Sequence, residues 1–215
     1  MLMFVQILSD PPGGCRIIEL TNQDVAELVK TFTSFRFEVD VHTDLTCSQL
    51  DQKCQEFFQR DFRQYGAVVV MVLSFDGTNG QLSALDGRFS ESIILRHLTD
   101  YLNPTLHAKP KIYITEANRT GPVVFMNRQF QHSLPLEEHH QDVLSFHLPC
   151  NYYGTIKRRP LLLLCDNINS MADTSDFVSI LKKTVEDATK TIGLFEDVPI
   201  ELSNTLSKEM RLAKS

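Results

Sequence analysis

Covalent catalysis needs a nucleophile and a proton carrier, and the chain offers five cysteines and seven histidines as candidates. A thiolate beside an imidazole is the pairing that would turn these types into a hydrolase, since the imidazole helps form the thiolate and protonates the leaving group. The cysteines (Cys15, Cys47, Cys54, Cys150 and Cys165) are odd in number, scattered, and form no CxxC pair. That pattern predicts mostly buried thiols in a reduced, cytoplasmic setting. His132, His139, His140 and His147 invite a metal reading, but no carboxylate or cysteine completes a ligand spacing, and adjacent histidines in a loop point apart. They read as solvated loop residues, and no metal or cofactor is expected. Cys150 with His147 or His140 stands as a relocated dyad, set against the simpler packing of a thiol at a strand end. The remaining candidate is "KPKIYITEANRTG", Lys109–Gly121. A β-branched and aromatic run there emerges into a polar loop with glycine behind it. An α/β enzyme often presents its nucleophile at such a place, and this loop presents Asn118.

The elements that would position these residues alternate between strand and helix, which favours an α/β layered domain with a largely parallel sheet. Met3–Leu8 reads as a first strand and "DPPGG" as a loop. Thr21 or Asn22 can cap a helix whose apolar residues Val25, Leu28, Val29 and Phe32 share one face. "RFEVDVH" alternates as a strand. Thr46 and Gln49 form a capping-box pattern ahead of Leu50, Cys54, Phe57 and Phe58. The nearly continuous apolar run Ala67–Ser74 predicts a central strand covered on both faces. A small hairpin is expected in "FDGTNGQLSALDG", then a helix over Ser90–Tyr101, a strand over Lys111–Thr115 and another over Asp142–Leu148. "PLLLLCDNI" is a buried helix or a strand, which periodicity cannot separate at that length. Phe177, Ile180, Leu181, Val185 and Ala188 mark a long amphipathic helix, and Val198–Leu206 a closing strand with proline near its start. The formal charge of −6 gives no reason to expect nucleic acid or an anionic membrane as partner. No apolar run approaches the roughly 18 residues of a spanning helix.

Seven segments stand in a familiar order: Ser74-Phe75-Asp76-Gly77, "LDG" (Leu85–Gly87), "NPTLHAKPKIYI" (Asn103–Ile114), Glu116-Ala117-Asn118-Arg119-Thr120, "DVLSFHLPCNYYG", "FVSILKKTVEDA" and "VPIELSNTLSKEM". In this order and spacing the chain resembles the caspase family of cysteine proteases over nearly its whole length. The resemblance implies a three-layer α/β sandwich with a mostly parallel six-stranded sheet and helices on both faces. It also implies a division into a large-subunit-like part (1–118), a linker (119–141) and a small-subunit-like part (142–215).

The same resemblance exposes departures. The family's histidine follows a serine at the end of one strand, and its cysteine lies within Gln-Ala-Cys-Arg-Gly at the end of another. Here those positions hold Phe75 and Asn118. A phenyl ring moves no proton, and a carboxamide cannot form an acyl-enzyme. The family's pocket for a substrate aspartate uses a glutamine and two arginines. The glutamine position is Glu116, which as a free carboxylate would repel a substrate acid. The arginine positions fall on Ile18 and Ile156, with Arg16 and Lys157 nearby. The basic cluster Lys157–Arg159 reads as a solvated loop.

These departures imply a catalytically inactive homologue, a pseudocaspase or decoy caspase of the kind known among insects. Its expected role is to pair with an active caspase paralogue and raise or suppress that partner's proteolysis in apoptosis. The family's two-fold contact runs along the terminal strand, which places Pro199, Ile200, Leu202, Ser203 and Leu206 at the expected interface, for a heterodimer or a homodimer. The linker contains Glu137 and Glu138 but no aspartate, so it is expected to stay uncut, with Asp142 poorly accessible at the next strand. No death-fold prodomain is expected from this sequence. The alternatives are an active cysteine hydrolase with relocated residues and a peptide-binding adaptor that needs no caspase.

Overall fold

The apolar run Ala67–Ser74 becomes the sheet's centre because both of its faces find a hydrophobic layer. The computed structural model describes residues 1–7, 22–78, 81–120, 142–149, 159–192 and 201–214. Val68–Thr78 (β3) lies between Leu2–Ile7 (β1) and Lys111–Thr120 (β6), parallel to both. Glu38–Thr43 (β2) extends the sheet beyond β1, and Val143–Pro149 (β7) extends it beyond β6, again parallel. Glu201–Asn204 (β8) closes the other end, antiparallel to β7, so the path is β2-β1-β3-β6-β7-β8. This is the mostly parallel six-stranded sheet expected. The expected hairpin is Gln81–Ala84 (β4) with Gly87–Ser90 (β5), and β4 also pairs with the end of β3.

Helices cover both faces. On one lie Asn22–Ser34 (α1), Pro160–Met171 (α4) and Phe177–Ile192 (α5). Leu28, Phe32, Leu161, Leu164, Phe177, Ile180 and Leu181 bury there against Met3, Val69, Met71, Ile112, Ile114 and Phe146. On the other lies Cys47–Phe58 (α2), whose Leu50, Cys54, Phe57 and Phe58 meet Phe4, Val68, Val70, Val72 and Tyr113. The strands supply alternate residues to alternate faces, which is why an unbroken apolar run was needed at β3. The capping box is formed on both sides: the Gln49 amide donates to Thr46 Oγ1, and the Thr46 amide donates to Gln49 Oε1.

One expectation needs correction, and one open alternative is resolved. Helix Ser90–Tyr101 shrinks to Ser92–Leu95 (α3). Beyond it the His97 and Leu98 amides donate to carbonyls three residues back, and Thr99 Oγ1 donates to the Arg96 carbonyl. Those tightened turns and the local hydroxyl bond divert the backbone from an α ladder. "PLLLLCDNI" resolves to helix, with Pro160 at its first turn, where a missing N–H costs nothing. After β8 the chain crosses the sheet's end. Met210 and Leu212 bury in the first core, and the Phe177 amide that opens α5 donates to the Met210 carbonyl.

Candidate functional site

In open parallel sheets, reactive groups and ligands gather outside the carboxyl ends of the strands. Here those ends are the last residues of β3, β6 and β7. The β3–β6 register runs regularly to Leu73↔Glu116 and resumes at Asp76↔Asn118, one residue out of step. Ser74 and Phe75 of β3 therefore stand against Ala117 alone, a bulge of the kind that re-aims a side chain beside a site. The fold brings the positions of Phe75 and Asn118 onto neighbouring strands at that bulge, one residue apart in register.

Buried polar contacts brace the strands behind them. Ser74 Oγ donates to the Ser83 carbonyl and accepts from the Ser83 amide, both at 3.1 Å, tying β3 to the hairpin. Tyr113 Oη donates to Glu91 Oε2 at 3.0 Å. Thr115 Oγ1 lies 2.6 Å from His147 Nδ1, across the β6–β7 pair. His147 is thus buried in the sheet rather than solvated, because its β7 position faces inward; His132, His139 and His140 lie outside the described residues.

Glu116 is wholly buried, and Arg159, at the start of α4, has a side chain 8% exposed; Arg159 Nε lies 3.5 Å from Glu116 Oε2. Two expectations change here. Glu116, expected as a free carboxylate, is enclosed in the protein with the Arg159 guanidinium as an ion-pair neighbour. Arg159 is not part of a solvated basic loop, because burial beside a carboxylate is the environment that a buried charge requires. Sequence reasoning passed over Arg159, and the only local signal for it was the following Pro160, which marks a helix start close to the sheet. Ile18, Ile156, Arg16, Lys157, Cys15 and Cys150 lie outside the described residues, as do Pro199 and Ile200.

The described cysteines are poor nucleophiles. Burial, with the Asp51 charge adding and Arg96 opposing, pushes the Cys54 thiol up to about 12. Burial first, then the Asp86 carboxylate, also raises Cys47, and Cys165 is fully buried. A reactive thiol would need the opposite environment. No group of three or more His, Cys, Asp or Glu among the described residues is arranged to hold a metal ion. Nor is any helix among them long and apolar enough to cross a membrane.

Comparison with known proteins agrees with this architecture. The model of the Peptidase_C14 family, the caspase domain, matches residues 18–198. The chain belongs to the caspase-domain family. Caspase-8 of Rattus norvegicus is 30% identical over 101 residues, 45% of this chain but only 20% of the rat protein, so the match spans a fifth of that caspase's length. The crystal structure of Caspase-1 from Spodoptera frugiperda aligns with a TM-score of 0.77 at 18% identity, covering 99% of this chain and 89% of that one. At that identity the second likeness bears on fold: the six-stranded sheet and flanking helices are those of a caspase.

Proposed function

We propose that this chain is a catalytically inactive caspase-domain protein that regulates an active caspase paralogue by pairing with it, and so modulates apoptotic proteolysis. The observation that carries the reading is the meeting of positions 75 and 118 on adjacent strands at the carboxyl end of the sheet. A caspase dyad belongs at such a meeting point, and the residues there are phenylalanine and asparagine. Neither can form a thiolate or move a proton. The raised thiols of Cys47 and Cys54 speak against those two cysteines as a relocated nucleophile.

A protein without catalytic groups acts through its surface. The sheet ends at β8, whose outer edge has no neighbouring strand among the described residues. Leu202 and Leu206 are half-buried against the core and Ser203 is half-exposed, leaving backbone and part of each side chain to meet a second sheet edge. Partner loops that are ordered by such contact shift population without chemistry from this subunit, in a direction set by which loop state the contact favours. The linker 119–141, with no aspartate, keeps the chain in one piece in this reading, acting in the cytoplasm.

The test is co-expression with each caspase of the same organism, following co-purification and cleavage of an aspartyl peptide. Retention of one caspase with a changed rate is the expected result, lost when Ile200 and Leu202 are replaced by arginine. If no caspase is retained or altered, the regulatory reading fails. Labelling of one cysteine by an electrophilic peptide, with turnover lost on mutating it, would establish the relocated hydrolase instead.

A further inference from the structure

The α2 side of the sheet carries a cleft of about 180 Å³, lined by Gln55, Phe58, Gln59, His97, Leu102 and Asn103. We propose that it is a docking site for a protein partner, taking one uncharged aromatic side chain, a tyrosine or phenylalanine, from a neutral segment of that partner. Phe58 belongs to the α2 layer, whereas Leu202 of β8 packs on the other, so the proposal stands apart from caspase pairing.

Size, lining and surroundings each narrow the occupant. A cavity of roughly 150 Å³ holds a benzene molecule, so this one suits a single ring with a few further atoms. It falls below the roughly 300 Å³ at which sites for larger ligands begin. One wall is itself aromatic: buried Phe58 stacks on His97 with ring centroids 5.1 Å apart and an interplanar angle of 10°. A further ring gains both area and ring contacts there. No Lys, Arg, Asp or Glu lines the cleft. Burial first, then the Arg96 charge, holds His97 below its ordinary value, with the Asp51 charge opposing, so that ring too is neutral at pH 7. The charged neighbours of the lining residues are already matched, Arg96 with Asp51, Glu56 with Lys53 and Arg60 with Asp40. A charged side chain entering the cleft would lose water without gaining a partner, which selects a neutral one.

The surface around the cleft favours a protein over a free small molecule. Tyr101 and Leu102 are 73% and 51% exposed, so apolar area continues outside the cleft, where a single ring cannot reach it. Gln55 and Gln59, one turn apart at the end of α2, are exposed at the mouth. Their amides both donate and accept, which suits a peptide backbone. The walls are preformed. Asn103 Nδ2 donates to the Phe58 and Arg60 carbonyls at 2.8 and 3.1 Å, and the Phe62 amide donates to Thr105 Oγ1 at 3.0 Å. Little ordering is left for binding to impose. An aromatic anchor inside a neutral polar rim is the arrangement of an interface hot spot.

Backbone amide NMR on the whole chain tests this with three probes: p-cresol, the charged p-toluate, and the neutral peptide acetyl-Ser-Gly-Tyr-Leu-Gly-Ser-amide. The p-cresol ring should bind saturably, moving the signals of Gln55, Gln59, His97 and Asn103, and about tenfold more tightly than p-toluate. The peptide should bind about tenfold more tightly again, moving Tyr101 and Leu102 as well, and lose that binding when its tyrosine is alanine. Gln59→Arg, which lays a long charged side chain across the mouth from an exposed position, should abolish binding of both. Leu102→Ser, also at an exposed position, should weaken the peptide about fivefold and leave p-cresol unchanged. Binding of p-cresol with no gain for the peptide makes the cleft a small-molecule site and overturns the docking proposal. No local response to any probe, preference for the charged ring, or peptide binding indifferent to both variants overturns it entirely.

Discussion

At the residue scale, the proposed loss of chemistry is distributed over several positions, and on that reading it is hard to restore. The variant Phe75→His/Asn118→Cys rebuilds a caspase-like dyad in name. With Glu116 still holding Arg159, it is expected to remain nearly inactive on aspartyl peptides in a fluorogenic assay. Efficient cleavage would show that the pocket around Glu116 is not closed. Asp142 supplies a second residue-scale prediction. Burial alone would raise its carboxyl, but hydrogen bonds from Ser207 Oγ at 2.6 Å and the Ser207 amide at 2.8 Å, with the Lys111 and Lys208 charges, hold it below its ordinary value. A depressed carboxylate stabilises the fold at pH above its unfolded value of about 3.9, and the contribution fades as pH falls through the lower folded value. Asp142→Asn should therefore be less stable than native at pH 7 in urea, with the gap closing in acid. A gap independent of pH would mean that the charge is immaterial. The identities at positions 75, 116 and 118 are legible in the sequence, but the use of Glu116 is not. Its partner lies far along the chain, and no local pattern distinguishes a carboxylate facing a ligand from one facing a guanidinium.

At the element scale, what could be read in advance depended on how local the deciding interaction is. The capping box of α2 was fully legible because both halves sit within four residues. Thr46→Ala should cost about 1 kcal/mol in urea unfolding, with the slope unchanged. A negligible change would place the start of α2 under tertiary rather than local control. The central position of β3 was legible from its unbroken apolar run. The length of α3 was not, since Thr99 bonding to the Arg96 carbonyl decides it and either outcome suits the same apolar spacing. Whether "PLLLLCDNI" forms helix or strand was equally undecidable, because α4 is buried along much of its circumference and shows little periodicity.

At the scale of the whole molecule, the two hydrophobic layers differ in what they join. The layer of α2 and α3 draws on residues before position 118, whereas the layer of α1, α4 and α5 draws on both sides of the linker. Regulation by pairing would act through the second, since β8, Leu202 and Leu206 belong to it. Charged residues at positions 200 and 202 are thus expected to abolish caspase pairing; because Leu202 packs partly against the core, the isolated chain should also melt several degrees lower, and pairing is read at a temperature where the variant is still folded.

The β6–β7 ladder has a consequence of another kind. It runs from Lys111↔Val143 to Ala117↔Pro149, and the Lys111 amide donates to the Asp142 carbonyl at 2.8 Å. Leu28 and Phe32 of one part share a core with Leu161, Leu164 and Phe177 of the other. The join is therefore made by hydrogen bonds and packed side chains as well as by the peptide between them. Residues 1–118 and 142–215, synthesised as separate polypeptides in one cell, should find each other and co-purify as a folded complex. Each is a template for the other, in the way that halves of a split reporter reassemble.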